Sequence, residues 1–353
     1  MPFVCGSGTP ASRLIDGSGA LRDDAHVEEG QIDMQQRRIE STDLPVSVVG
    51  LGGAWLGHHV DDLSEVAQAT AVLRAVHEAG VNWVDTSENY FDTGNEAVIG
   101  LALRELPDSF LVCSKVAPGA LGSGGGTGFR PDQVRRACQM SLRRLGRDHL
   151  DMYLLHWPDD TGVPLEDTWG AMAELVADGL VGSIGLSNYE REDIAGCHEQ
   201  HPVDLIQTGL SLIDYLDDRP LIAWCGEQQI AVTIYDPLAS GLLTDTPFEQ
   251  VRERWIGTPW EDSAFFRRLL SLDKADPTRH VVEGLGRVGQ QVGATVAQVA
   301  IAWLLRQPGV TSAIPGSSNA DRARENAQAA DVELPDAALQ AIEGLIPLGP
   351  AFA

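Results

Sequence analysis

Leu150-Asp151-Met152-Tyr153-Leu154-Leu155-His156 is an almost unbroken apolar run that stops on an imidazole, and the amphipathic segment Leu165–Ala177 follows it. A strand this apolar is covered on both faces, as in a parallel sheet flanked by helices. The same two-part unit recurs along the chain. Upstream lie Val46–Leu51 with Ser64–Ala79, Val81–Asp85 with Asn95–Leu106, and Phe110–Lys115 with Pro131–Leu145. Downstream lie Val181–Leu186 with Glu190–Glu199, Leu205–Gln207 with Arg219–Gln228, Ile230–Tyr235 with Val281–Gln307, and Val310–Ile314 with Ala320–Ala329. Eight strand–helix units over about 300 residues predict a closed (β/α)8 TIM barrel, an α/β single domain, rather than an open doubly wound sheet. Local chemistry agrees: Gly80, Gly146 and Gly179 close helices, and Pro131 opens one where its missing N–H costs nothing.

Three segments do not fit the repeat. Residues 1–36 are rich in Gly, Ser, Asp and Glu without a sustained period, which predicts a flexible, disordered N-terminal arm ahead of a barrel spanning 37–353. A long loop after strand 7, Ala239–His280, carries Trp255, Trp260, Phe265 and Phe266 and is expected to cap a ligand. A second long loop, Ala117–Arg130, holds a glycine-rich run and reads as a flexible flap.

Composition narrows the function. The chain of 353 residues has 25 Lys+Arg against 51 Asp+Glu, a net charge of −26, so phosphate backbones are repelled and nucleic acid is not expected as a partner. Five scattered cysteines without a CxxC pattern suggest neither a disulfide framework nor structural zinc, and a cytoplasmic location is expected. The first residues lack a secretory pattern and no apolar run approaches a membrane span. His198 and His201, and the pair His58-His59, have no evident third ligand, so no metal is expected.

The strand ends carry the chemistry. Asp85, Lys115, His156, Ser187-Asn188, Gln207 and Tyr235 each close an apolar run, and in a barrel of this kind such ends converge on one mouth. Tyr90 follows Asp85 by five residues, close enough for the loop to swing its phenol over that mouth. An ammonium at Lys115 is expected to lower the phenol's pKa from its reference of about 10, with Asp85 keeping the lysine charged and neutral His156 donating to a carbonyl oxygen. Such a site protonates an oxyanion; it contains no hydride source, which a nicotinamide would have to supply.

These residues sit in blocks that resemble the aldo-keto reductase family over nearly all of Arg38–Gly344: Val48–Gly52, Asp85–Tyr90, Ser141–Gly146 leading into Leu150–His156, Gly185–Tyr189, Tyr235–Leu238, and Ile314–Ser317 with Arg322, Glu325 and Asn326. The resemblance implies an NAD(P)H-dependent reductase of aldehydes or ketones, with a sugar or small carbonyl as substrate. It implies Tyr90 as general acid, Lys115 and Asp85 as the pair that tunes it, and His156 as the group orienting the carbonyl. It also implies a cofactor site made of Ser187, Asn188, Gln207, Tyr235, Pro237, Leu238, Gly316, Ser317, Arg322, Glu325 and Asn326. Many members carry lysine where this chain has Gly316, which weakens the case for a 2′-phosphate; Arg322 keeps NADP(H) favoured over NAD(H). Trp55, Phe91 and Trp157 follow strand ends and are candidates for the substrate wall.

Two other classes compete with this reading: a non-catalytic nicotinamide-binding regulatory subunit of the same fold, and a barrel lyase or isomerase acting on a sugar. Gly284-Leu285-Gly286-Arg287-Val288-Gly289 spells GxGxxG, but it follows no strand and lies in a helical stretch, which predicts packing rather than phosphate binding. The Gly185–Tyr189 block lacks the final glycine of a nucleophile elbow, so a hydrolase loses its best serine.

Overall fold

A computed structural model describes residues 34–346 apart from 92, 107–109, 119–126, 160, 215, 255 and 257–276. The expected arm up to residue 33, most of the glycine-rich flap, and the four aromatic residues of the expected cap therefore lie outside the described residues.

Eight parallel strands follow one another around a single sheet. They are β3 (Leu51–Gly52), β4 (Trp83–Asp85), β5 (Leu111–Val116), β6 (Leu150–Leu155), β7 (Val181–Ser187), β8 (Leu205–Gly209), β9 (Ala231–Tyr235) and β10 (Val310–Ala313). The sheet closes on itself through parallel bridges between Val49 and Ala313 and between Gly52 and Gly316. Helices α1 (Leu63–Glu78), α2 (Gly94–Leu103), α3 (Pro131–Leu145), α4 (Leu165–Ala177), α5 (Arg191–Gln200) and α6 (Arg219–Glu227) alternate with the strands. After β9 come α7 (Phe248–Glu253), α8 (Pro277–Val292) and α9 (Val296–Leu305), and after β10 come α10 (Ala320–Ala327) and α11 (Asp336–Glu343). The architecture is the expected (β/α)8 barrel.

Strand periodicity sorts the side chains. Val84, Val112, Tyr153, Leu155, Ile206 and Val232 belong to the large core between strands and helices. Their neighbours Trp83, Cys113, Met152, Leu154, Leu205 and Ala231 form a separate cluster inside the barrel. Two residues further along each strand on this inner face stand Asp85, Lys115, His156, Gln207 and Thr233, so the period of two that packs the barrel interior also delivers the polar ends to its mouth.

Two expectations need correction. Val46–Leu51 is not one barrel strand: Leu44–Ser47 forms β2, paired antiparallel with β1 (Gln36–Ile39), and the barrel strand shrinks to Leu51–Gly52. The hairpin's fully buried Ile39 and Val46 pack into the inner cluster with Trp83, whose indole N–H donates to Ser47 O at 3.2 Å. Gly50 passes so close to that indole that a Cβ there would come within 2.3 Å of it. An apolar run continuous from Val46 to Leu51 gives no sign of where pairing changes hands.

The segment Val281–Gln307 is likewise two helices, α8 and α9, bent by 87°. Gly293 takes φ +74° and Thr295 begins α9 with a capping box, its Oγ1 accepting from Gln298 N and Gln298 Oε1 accepting from Thr295 N. The Thr-x-x-Gln spacing was the available signal. The GxGxxG run falls inside α8, where Gly284 makes room for Leu345 and Gly289 for the carbonyl of Ala294. Among the described residues no single helix is long and apolar enough to cross a membrane.

One buried ion pair ties α2 to α3. Arg144 Nε donates to Glu96 Oε2 at 2.6 Å, and Glu96, with no exposed surface, also accepts from Ser114 on β5. Burial raises the Glu96 carboxyl above its ordinary value while Arg144 holds it down. Arg144→Met strands that carboxylate, and chemical denaturation is expected to show a loss of about 3 kcal/mol; an unchanged unfolding midpoint would mean the pair contributes nothing.

Candidate active site

Lys115, at the end of β5 and without solvent exposure, is the centre of the mouth. An ammonium has three protons to give. Lys115 Nζ lies 2.7 Å from both carboxylate oxygens of Asp85 and 2.8 Å from Thr86 O, while the Tyr90 hydroxyl stands at 3.4 Å. The short contacts take up its protons and leave a weaker one to the phenol. Burial is the largest single influence and opposes the lysine's charge, but Asp85, Tyr90 and Cys113 together outweigh it and the Lys115 pKa is raised.

For Tyr90 the balance is different. Desolvation dominates and raises the phenol's pKa, against the lowering by Lys115. The expectation that the ammonium brings this pKa below its reference is therefore corrected: the hydroxyl is more firmly protonated than a free phenol. His156 meets Tyr90 edge-on with ring centroids 5.6 Å apart. Burial, then the nearby Lys115, hold the imidazole's pKa well below its usual value, so it is neutral at pH 7. Tyr90, Lys115, Asp85 and His156 thus share one pocket.

The nicotinamide candidates surround this group and hold one another. Gln207 Nε2 donates to Asp85 Oδ1 at 2.9 Å, adding to the lysine's grip on that carboxylate. Asn188, in a left-handed turn at φ +64°, donates from Nδ2 to His156 O at 2.9 Å and to Ser187 Oγ at 3.1 Å. Its Oδ1 accepts from the Tyr235 hydroxyl at 2.7 Å.

The remaining cofactor candidates gather elsewhere on the mouth, around a cavity of about 670 Å3 lined by Pro237, Leu238, Gly316, Ser317, Arg322, Glu325 and Asn326. Asp236 lines it too, its carboxyl pushed up to about 7 by desolvation against the hydrogen bonds from Ser240. Gly316 has a steric cause: a Cβ there would come within 2.8 Å of the Trp55 indole, so Trp55, expected on the substrate wall, occupies the space a longer side chain would need. Phe91 stacks on His58 at 4.3 Å, and the Trp157 ring lies 4.5 Å from that of His156.

Sequence reasoning missed several residues. Ser87 Oγ lies 2.9 Å from His156 Nδ1. Glu88, 3 % exposed, accepts from Ala117 N and Thr127 N at 3.0 Å each, fastening the loop that carries Tyr90 to both flanks of 119–126. Arg254 lines the large cavity with Arg322; its guanidinium is lowered by burial and then by the charge of Arg322. It lies in the Ala239–His280 segment expected to cap a ligand, where nothing distinguished it from its neighbours, whereas Ser87 and Glu88 lie inside a block already singled out.

The parallel barrel thus gathers an acid, an ammonium, a phenol and an imidazole at one end of its strands. The chain belongs to the aldo/keto reductase family, whose family model it matches over residues 48–347. It is 28% identical over 324 residues to an NADH-specific methylglyoxal reductase of Escherichia coli, covering 86% of this chain and 96% of the relative. It is 30% identical over 325 residues to the Escherichia coli methylglyoxal reductase YeaE, covering 89% and 96%. Among solved structures, an aldo/keto reductase from Klebsiella pneumoniae in complex with NADP and acetate superposes with a TM-score of 0.68 at 30% identity, covering 90% of this chain and 97% of that one.

Proposed function

We propose that this chain reduces a small aldehyde or ketone, methylglyoxal being the first to assay, to the alcohol, with NADPH favoured over NADH. The observation that carries the reading is the Lys115 Nζ to Tyr90 hydroxyl contact at 3.4 Å beside the neutral ring of His156. Tyr90 gives its hydroxyl proton to the carbonyl oxygen as negative charge grows there. Lys115 stabilises the phenolate left behind, and Asp85, steadied by Gln207, keeps the ammonium in place. His156 donates a hydrogen bond to the same oxygen in the transition state, where such a donor is most effective. A bound nicotinamide supplies the hydride.

The residues fit that cofactor. Ser187, Asn188, Gln207 and Tyr235 would hold the nicotinamide end beside the proton-donating group, and the large cavity around Pro237, Leu238, Ser317, Glu325 and Asn326 would receive the adenosine end. Arg322 and Arg254 bring two guanidiniums to one cavity of a chain with net charge −26, an arrangement suited to an anion. Arg254 offsets the lysine that Gly316 cannot provide. The names of the relatives support a small carbonyl substrate, and a methylglyoxal assay at 340 nm with each cofactor tests it. Arg254→Ala and Arg322→Ala are each expected to raise the Kd for NADPH by about tenfold and that for NADH by less than about twofold. Equal weakening of both cofactors would mean the guanidiniums do not read the 2′-phosphate.

A further inference from the structure

Ser87 is buried on the loop leaving β4, and its hydroxyl faces two partners besides a long 3.5 Å approach to Lys115 O: His156 Nδ1 at 2.9 Å and the Asn89 side-chain amide, whose Oδ1 lies at 2.5 Å. A serine hydroxyl has one proton to give. Spent on Asn89, it obliges Ser87 to accept from His156 Nδ1–H, and the imidazole then turns a lone pair at Nε2 toward the pocket. Spent on Nδ1, it leaves the proton on Nε2. The 2.5 Å contact as it stands has Ser87 donating to Asn89 Oδ1; a half-turn of the Asn89 carboxamide puts its NH2 there instead, at the slightly longer separation that an N–H···O bond takes, and Asn89 then donates to Ser87.

We propose that Ser87 and Asn89 are positioning residues that fix the tautomer of His156: Asn89 donates through Nδ2 to Ser87, Ser87 donates to Nδ1, and Nε2 keeps its proton toward the substrate oxygen. The inference rests on the reading of His156 as a donor to that oxygen, because a lone pair there repels growing negative charge. It gives the buried serine a task that packing does not require.

Asn89→Asp separates the two arrangements. A carboxylate cannot donate, so it draws the Ser87 proton to itself and obliges His156 to protonate Nδ1. At pH 8, 15N NMR of the full chain, with the His156 signal assigned from the spectrum of His156→Gln, is expected to show Nε2–H in the parent and Nδ1–H in Asn89→Asp. The kcat for carbonyl reduction is expected to fall by about 100-fold in that variant, with the Kd for NADPH changed by less than about twofold. Ser87→Ala is expected to lose the Nε2–H preference as well, and this provides a second readout if Asn89→Asp folds poorly. A parent enzyme with Nδ1–H, or an Asn89→Asp variant with unchanged tautomer and rate, overturns the proposal. A Tyr90→Phe enzyme that keeps its turnover defeats the broader functional reading and leaves the NMR result to stand by itself.

Discussion

Tyr90→Phe is expected to lower kcat for carbonyl reduction by about 10²–10⁴-fold, the range that a general acid contributes, and to leave the NADPH Kd nearly unchanged. The variant deletes one oxygen and retains the ring that packs against His156 and lies 5.1 Å from Lys115 Nζ, so cofactor binding and folding should survive. The pH profile carries further information. Reduction requires the protonated phenol, whose pKa is raised, so the parent's rate should stay level from neutral pH and fall only above the ordinary phenol value of about 10. Alcohol oxidation requires the phenolate and should climb over that alkaline range. A Tyr90→Phe enzyme with most of its turnover would remove Tyr90 from the acid's role.

Lys115→Met is expected to be as damaging, by a different route. Removing the ammonium removes the influence that lowers the phenol's pKa, so that pKa moves further up. Oxidation at alkaline pH should therefore suffer more than reduction at neutral pH, where Tyr90 is protonated in either enzyme. The substitution also leaves Asp85, 2 % exposed, without its cation, at a cost of about 3–5 kcal/mol. The double variant Asp85→Asn with Lys115→Met discards both charges and should recover part of that stability without recovering activity. An oxidation profile with its alkaline limb in the parent's position would contradict the tuning role of Lys115.

The barrel was legible because each strand is an apolar run, and burial on both faces leaves a terminal charge only the rim. Asp85, Lys115, His156 and Gln207 could be read in this way. The hairpin Gln36–Ser47 could not: its apolar residues merge with those of the first barrel strand, and only the pairing shows where one ends, antiparallel as far as Ser47 and parallel from Val49. The reason for Gly316 was hidden for a related cause, since Trp55 lies far from it in sequence. Charge balance was harder still. Residue order places Lys115 near Tyr90, but whether burial or the ammonium governs the phenol depends on how many of the lysine's protons Asp85 and Thr86 have taken.

The central claim, carbonyl reduction at the Tyr90–Lys115–His156 pocket, is tested most directly by isotope transfer. NADPH dideuterated at nicotinamide C4 and methylglyoxal are incubated with the enzyme, and the alcohol product is analysed by mass spectrometry. One deuterium per product molecule, on the carbinol carbon, is the expected result. An alcohol that carries no deuterium, or no alcohol with either methylglyoxal or a panel of aldehydes and ketones, would contradict the account.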